Sequence, residues 1–329
     1  MRFGPVPPAE ASGTILAHSL TVGAARWKKG RALDEDDAAA LAAAGLAEVT
    51  VARLEPGDVG EDAAAARLAE ALAGDGLRLS RAATGRVNLF APGPGVARVE
   101  AGAVAALNGI DPMITVATVP PWQRCAEGTM VATVKIISYG VPEAALAQAC
   151  ATGAGALGFA APVLRSAALI ETEVALGREQ SGKGAEAMRE RLARLGIDLA
   201  IAPKVAHDVA PLAEALAGRE EDLVLVLTGS ATSDAADVGP AALRAAGGEL
   251  VRFGMPVDPG NLLFLGDIAG RPVIGLPGCA RSPALNGADW VLERVVCGVP
   301  VGPDDIAAMG VGGLLKEIPT RPRPRDHRR

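Results

Sequence analysis

Residues 222–228 read Asp-Leu-Val-Leu-Val-Leu-Thr, five consecutive apolar residues with no polar position to turn toward water. A half-buried strand alternates apolar and polar residues, so an unbroken run of this length is a strand covered on both faces. The surrounding rhythm agrees. Residues 167–171 (AALIE) and 197–203 (IDLAIAP) read as strands, and 184–195 and 207–217 as helices. Beyond the run, 240–247 reads as a helix, 249–257 as a strand, 262–266 with 271–276 as a hairpin-like pair, and Asn286 to Val296 as a closing amphipathic helix. This alternation predicts a three-layer α/β domain over 164–300, a mostly parallel sheet with helices on both faces. In such sheets, ligands bind at the carboxyl ends of the strands.

Three strand ends carry unusual residues. After Leu227 comes TGSATSDAADVGP, where Thr228, Gly229 and Ser230 combine hydroxyls with bare backbone, and Asp234 and Asp237 precede a helix. After Val257 comes DPGN, with Pro259 and Gly260 at its centre. After Leu276 comes PGCARSP, where the Pro277-Gly278 turn would expose N–H donors at the start of the closing helix, Ser282 could cap that helix, and Arg281 offers a charged fork to an anion. Taken singly, each stretch also reads as a tight turn or cap. Convergence of all three at one sheet edge would favour an anion site. His207 and Asp208 stand at a predicted helix start, where capping competes with a proton-transfer role. GREQSGKG (177–184) matches the phosphate-binding loop G-x-x-x-x-G-K, but Gly184 stands where Ser or Thr would meet Mg²⁺. Lys183 at a helix start could still meet a phosphate.

Ahead of this domain, residues 1–56 read as a small α/β unit: a strand at Thr14–Leu16, a helix capped by Asp34 and stopped at Gly45, and a strand from Val49 to Leu54. Residues 57–163 read as a mixed, β-rich accessory domain, with a helix from Asp62 to Ala73, strands at 86–90 and 130–141, and an APGPGV turn. Residues 301–329 form an extension that ends in an Arg- and Pro-rich tail expected to be solvated. With 329 residues, half of them hydrophobic, the chain can bury more than one core. A net charge of −6 and 3% aromatics supply neither a basic stripe nor a stacking platform, which points to a small-molecule ligand and away from nucleic acid. Four cysteines without CxxC spacing, and three histidines, argue against structural zinc and fit a reducing cytoplasm. The opening MRFGPVPPAEASG lacks the pattern of a signal peptide, and no apolar run reaches the roughly 18–20 residues that would span a membrane.

Over roughly 165–300 the chain resembles the molybdopterin-binding family of molybdenum cofactor biosynthesis, of MoeA/MogA type. DLVLVLTGSATSDAADVGPAAL is similar to that family's TTGGTG…RDVTPEA, with the spacing from Thr228-Gly229 to Asp237-Val238 and Pro240 kept without a gap. FGMPVDPGNLLFLGDIAGRPVIGLPGCARSP resembles its KPGKP, hairpin and GLPGNPVS order, and MRERLARLGIDLAIAPKVAHDVAPLAEAL resembles the preceding helix, strand and acidic turn, with Asp208 at the acidic place. GTILAHSL and KKGRALDEDDAAALAAAGLAEVTVARL are loosely similar to pieces of the accessory domains. The chain departs from the pattern at Ser230, Thr232 and Cys279, and at Glu171-Thr172, which keep part of the polarity of the usual STGDEL.

The resemblance implies an α/β fold that holds a pterin phosphate against Thr228, Gly229 and Ser230 and against Gly278, Arg281 and Ser282. Asp234, Pro259, Gly260, Pro277 and Cys279 would complete the lining, Cys279 either as a small filler or in contact with dithiolene or molybdenum. Asp208 and Asp237 would be the acidic residues that assist Mg²⁺ and the adenylyl or molybdate step. Three functions follow as expectations. The first is a molybdopterin-binding enzyme of cofactor biosynthesis, acting in adenylyl transfer or molybdate insertion with Mg²⁺ and ATP or adenylylated pterin. The second is a non-catalytic carrier of molybdopterin or its molybdenum form, partnering a nucleotidyltransferase or molybdoenzyme. The third is a divergent nucleotide pyrophosphatase of related fold. A cytoplasmic homo-oligomer is expected.

Overall fold

Leu223–Leu227 is an interior strand of the largest sheet, buried over its whole length. The computed structural model that contains it describes residues 1–174 and 182–315, and falls into two units: Met1–Gly93 with Ala97–Phe159, and Pro94–Val96 with the chain from Ala160 onward. In the second unit, β1 is Ser166–Glu173, α1 Lys183–Ala193, β2 Asp198–Ile201, β3 Val205–Ala206 and α2 Val209–Ala217. Then come β4 (Leu223–Leu227), α3 (Val238–Ala245), β5 (Glu249–Phe253), β6 (Phe264–Ile268), β7 (Arg271–Leu276), α4 (Gly287–Val296) and α5 (Pro303–Ala308).

The strand order is β2-β1-β4-β7-β6-β5, with β3 beside β1. Pairings from β2 to β7, and that of β3 with β1, are parallel, while β7–β6 and β6–β5 are antiparallel. Alternate residues of β4 serve two cores. Leu223, Leu225 and Leu227 pack with Met188 and Leu192 of α1 and Val291 and Leu292 of α4. Val224 and Val226 face the other way, onto Leu212 and Leu216 of α2 and Ala242 and Leu243 of α3. Helices therefore cover both faces. Each such side chain contributes about 1.5–3 kcal/mol relative to exposure, which is why this strand has no polar position.

Some boundaries differ from the sequence reading. The strand expected over 249–257 ends at Phe253, after a register shift between Leu250 and Arg252. The expected 130–141 strand divides into Met130–Ile136 and Gly140–Pro142, and the second piece pairs with Asp58–Gly60. α2 begins at Val209 because Asp208 caps it, so His207 precedes the helix. Beyond α4, Ile306 and Met309 of the extension are buried in the same core as α1 and α4. The tail from 316 lies outside the described residues.

In the first unit, Arg2–Val6, Val49–Arg53, Thr14–Leu16 and Ala32–Leu33 form a sheet, and Glu35–Ala43 is a helix whose N-terminus is closed by an Asp34–Asp37 capping box. A second sheet, ordered Ile114–Thr118, Met130–Ile136, Arg86–Phe90 and Arg78–Leu79, shares its core with the helices Glu61–Leu72, Ala101–Asn108 and Glu143–Thr152. The last two helices carry alanine on several sides, which erases the periodic signal by which a helix is read. Among the described residues, no helix is long and apolar enough to cross a membrane.

Candidate functional site

The carboxyl ends of β1, β4 and β7 lie side by side, with Glu171 in register with Leu227 and Leu227 with Leu276. β5 is antiparallel to β6, and β6 to β7, so β5 ends at the same edge as β7. Hydrogen bonds link the turns that follow. Arg281 Nη2 donates to Thr228 O at 2.8 Å, joining the turn after β7 to the turn after β4. Gly287 N donates to Pro259 O at 2.8 Å, joining the start of α4 to the DPGN segment. The three turns converge on one edge.

The turn after β4 folds tightly back on β1. Gly229 N donates to Thr172 Oγ1 at 2.9 Å, and a Cβ on Gly229 would lie 2.6 Å from Thr172 O, so this approach requires glycine. Thr228 Oγ1 donates to Ser230 O at 2.7 Å, while Ser230 itself is exposed. The same Thr172 hydroxyl is 2.8 Å from His207 Nδ1, and His207 N donates to Glu173 O. Asp234 is exposed and accepts from Ala236 N. Asp237 caps α3, accepting Ser233 N at 2.9 Å and Val238 N at 2.7 Å. These bonds, Ser233 first and then Val238, hold its carboxyl below the usual carboxylate range, and nearby His207 adds to the effect. Asp208 caps α2, accepting Val209 N at 2.6 Å. Lys204 bridges buried Glu171 and half-buried Glu173, at 3.9 and 3.2 Å.

After β7, the backbone departs from the expected design. Gly278–Arg281 is a single 3₁₀ turn, and α4 starts only at Gly287, capped by Asn286 in a capping box with Asp289. Ser282 is therefore not the helix cap. It precedes Pro283, which disfavours helical backbone at Ser282, and its ψ is 146°. Its Oγ accepts from Ala284 N instead. Arg281 Nη1 lies 3.8 Å from where a Cβ on Gly278 would be, so the guanidinium stands between Gly278 and Thr228. Cys279 is half-buried, and burial raises the pKa of its thiol, which favours the neutral form over a metal-binding thiolate.

Gly184 explains the broken end of the phosphate-loop pattern. A Cβ there would lie 2.6 Å from Leu227 Cδ2, 3.0 Å from Glu171 Oε1 and 3.5 Å from Arg281 Cγ, leaving no room for Ser or Thr. Residues 177–181 of that pattern lie outside the described residues, and Lys183 is the exposed first residue of α1. Among the described residues, no three His, Cys, Asp or Glu side chains gather as a metal site. Absent from the expected site residues is Arg191, a charged residue in the apolar stripe of α1 that is buried at this edge. A charge at a core position was the signal that could have found it.

Residues 169–296 match the family model described as a probable molybdopterin binding domain. That segment belongs to this family. The molybdopterin-binding domain thus runs from β1 to the end of α4 and contains all three turns. Residues 5–53 match a family described as a domain of unknown function (DUF8806). No curated protein is significantly similar to the chain. Among solved structures, the chain is similar to a molybdopterin biosynthesis MoeA protein from Pyrococcus horikosii, at 13% identity and a TM-score of 0.30, covering 91% of this chain and 74% of that one. It is also similar to a CinA protein from Thermoplasma acidophilum, at 15% identity and TM-score 0.30 over 36% of this chain and 90% of that one. A molybdenum cofactor biosynthesis protein from Pyrococcus furiosus aligns at 12% identity and TM-score 0.26, over 91% of this chain and 66% of that one.

Proposed function

We propose that the chain binds molybdopterin at the edge formed by the ends of β4, β5 and β7 and acts in molybdenum cofactor biosynthesis, in adenylyl transfer to the pterin or in molybdate insertion. One observation carries this reading: within the molybdopterin-binding domain, Arg281 bridges the Thr228–Ser230 turn and the Gly278–Ser282 turn. The donor set suits a pterin phosphate. It combines a guanidinium, the exposed Ser230 hydroxyl and the exposed backbone of Gly278, which lies beside that guanidinium. Asp234, Pro259, Gly260, Pro277 and Cys279 complete the lining in this reading, with Cys279 as a neutral filler.

Among the described residues, Asp208 and Asp237 belong to no group of three or more His, Cys, Asp or Glu side chains. They fit a cation that arrives with ATP or adenylylated pterin, because Mg²⁺ is commonly held by one or two carboxylates together with substrate phosphates. The depressed pKa of Asp237 keeps it ionised for that purpose. In the protein's own chemistry, these carboxylates would hold that cation, while Arg281 would balance the charge of the phosphate and orient it. Four free thiols fit a reducing, cytoplasmic setting, and a homo-oligomer with a nucleotidyltransferase or molybdoenzyme partner belongs to the same reading.

A second reading, a non-catalytic carrier, is favoured by the backbone bonds that Asp208 and Asp237 already accept as helix caps. Anaerobic titration with molybdopterin, followed by Mg-ATP-dependent adenylylation and molybdate-dependent conversion of adenylylated pterin, separates the two. Binding with either turnover is expected for the enzyme, and binding with neither marks the carrier. Absence of binding removes both.

A further inference from the structure

Arg191 lies on the core face of α1 in the stripe of Ala187, Met188, Leu192 and Leu195, and is 7% exposed. A guanidinium has five N–H donors, and here all five are used. Nε pairs with Asp289 Oδ1, Nη1 donates to Ala280 O at 3.0 Å and Ala187 O at 3.4 Å, and Nη2 donates to Ser282 O at 2.8 Å and Ala284 O at 3.0 Å. Apart from Ala187, every partner belongs to the turn after β7 or to the first turn of α4. For stability alone, a buried charge at such a position is a poor choice, because an apolar residue of similar volume often does as well. What the guanidinium supplies is geometry. The segment from Ala280 to Ala284 belongs to no regular helix or strand beyond a single 3₁₀ turn, and its carbonyls at 280, 282 and 284 meet on one planar group.

We propose that Arg191 is the positioning residue of the ligand turn. It touches no ligand. By holding the carbonyls on either side of Arg281, and by pairing with the Asp289 that closes the cap of α4, it sets where the Arg281 guanidinium and the Ser282 backbone stand at the edge. Lysine cannot replace it, because one ammonium offers three donors from a single point and cannot span three carbonyls and a carboxylate. The inference rests on the pterin-binding reading and names a residue outside the ligand's reach.

The test is a titration of full-length wild type, Arg191→Lys, Arg281→Ala and the double variant with molybdopterin under anaerobic, reducing conditions, with thermal unfolding of each. Arg191→Lys is expected to stay folded and to bind at least tenfold more weakly. In the Arg281→Ala background, the same change is expected to cost less than threefold, because the residue it positions is already gone. A residue with a purely structural role would lower the melting temperature without this coupling. A folded Arg191→Lys with wild-type affinity overturns the inference, as does an equal loss in both backgrounds. If Arg191→Lys does not fold, Asp289→Asn removes the charge of the anchor and leaves the five donors in place. It is then expected to show a smaller loss that also vanishes with Arg281→Ala, and unchanged affinity in that variant overturns the inference. Wild type that fails to bind molybdopterin sinks the functional reading itself, whereas binding wild type with an indifferent variant sinks only the role of Arg191.

Discussion

The Arg281 guanidinium spends one hydrogen bond on Thr228 O and turns Nη1 toward Gly278, so a phosphate placed between the two turns would meet it directly. A hydrogen bond to a charged group is worth about 1.5–3 kcal/mol, so Arg281→Ala is expected to weaken molybdopterin binding by about 10- to 150-fold, read by anaerobic titration. Arg281→Lys should fall between wild type and Ala, since it keeps the charge without the fork. Gly184 makes the opposite kind of prediction. Gly184→Ser would complete the phosphate-loop pattern on paper, yet its Cβ would press on Leu227 and Glu171. Overpacking of this kind costs about 1–3 kcal/mol, which urea unfolding would show as a lowered midpoint with no gain of ATP binding. Both residues were visible in the sequence, but their situations differ. Arg281 declared itself through its neighbours in GLPGCARSP, whereas the reason for glycine at 184 lies in three side chains from two strands and a turn.

Caps and turns decide where the helices begin, and carboxylates do much of that work. Asp222 Oδ2 accepts Arg165 N at 2.7 Å and Ser166 N at 3.0 Å, tying the entry of β4 to the entry of β1. These two backbone bonds, in that order, hold its pKa below the ordinary carboxylate value, as the Ser233 and Val238 bonds do for Asp237. A depressed folded-state pKa means that the contribution is fully present above the unfolded value, about 3.9, and is lost as pH falls through the lower folded value. Urea midpoints are therefore expected to hold from pH 7 to about pH 5 and then to drop on acidification toward pH 3. Asp222→Asn should be less stable than wild type at pH 7, and the gap should close as the pH falls below about 4; a constant gap would mean that the charge contributes nothing. The helices α1 to α4 were legible from periodicity, and Asp237 and Asp208 are as readily read as caps as acids. The span of α4 from Asn286 was legible, but its cap was misassigned to Ser282 because Ser282 and Asn286 are both good caps by type. Pro283 and the Arg191 bonds to the carbonyls of 280, 282 and 284 settle the choice in favour of Asn286.

The second unit carries two cores of its own, one on each face of the sheet, and all three site turns. A fragment of residues 160–315 is accordingly expected to unfold in one cooperative transition and to bind molybdopterin within a few-fold of the full chain. A fragment that folds but does not bind would show that the site needs residues 1–159. At this scale, the sequence by itself determined the layering and the chemistry of the edge. An unbroken apolar strand requires cover on both faces, alternating segment lengths require helices to supply it, and Gly, Pro, Ser, Thr and Asp at the strand ends follow from local turn and cap geometry. The tertiary structure alone decided which of those residues meet. Thr172 reaches His207 35 positions away and Gly229 57 away, Arg281 reaches Thr228 across 53, and Arg191 reaches Asp289 across 98. Periodicity and turn chemistry act over a handful of residues, so pairs this distant leave no local trace, and they exist only once the parallel strands β1, β4 and β7 have brought their carboxyl ends to one edge.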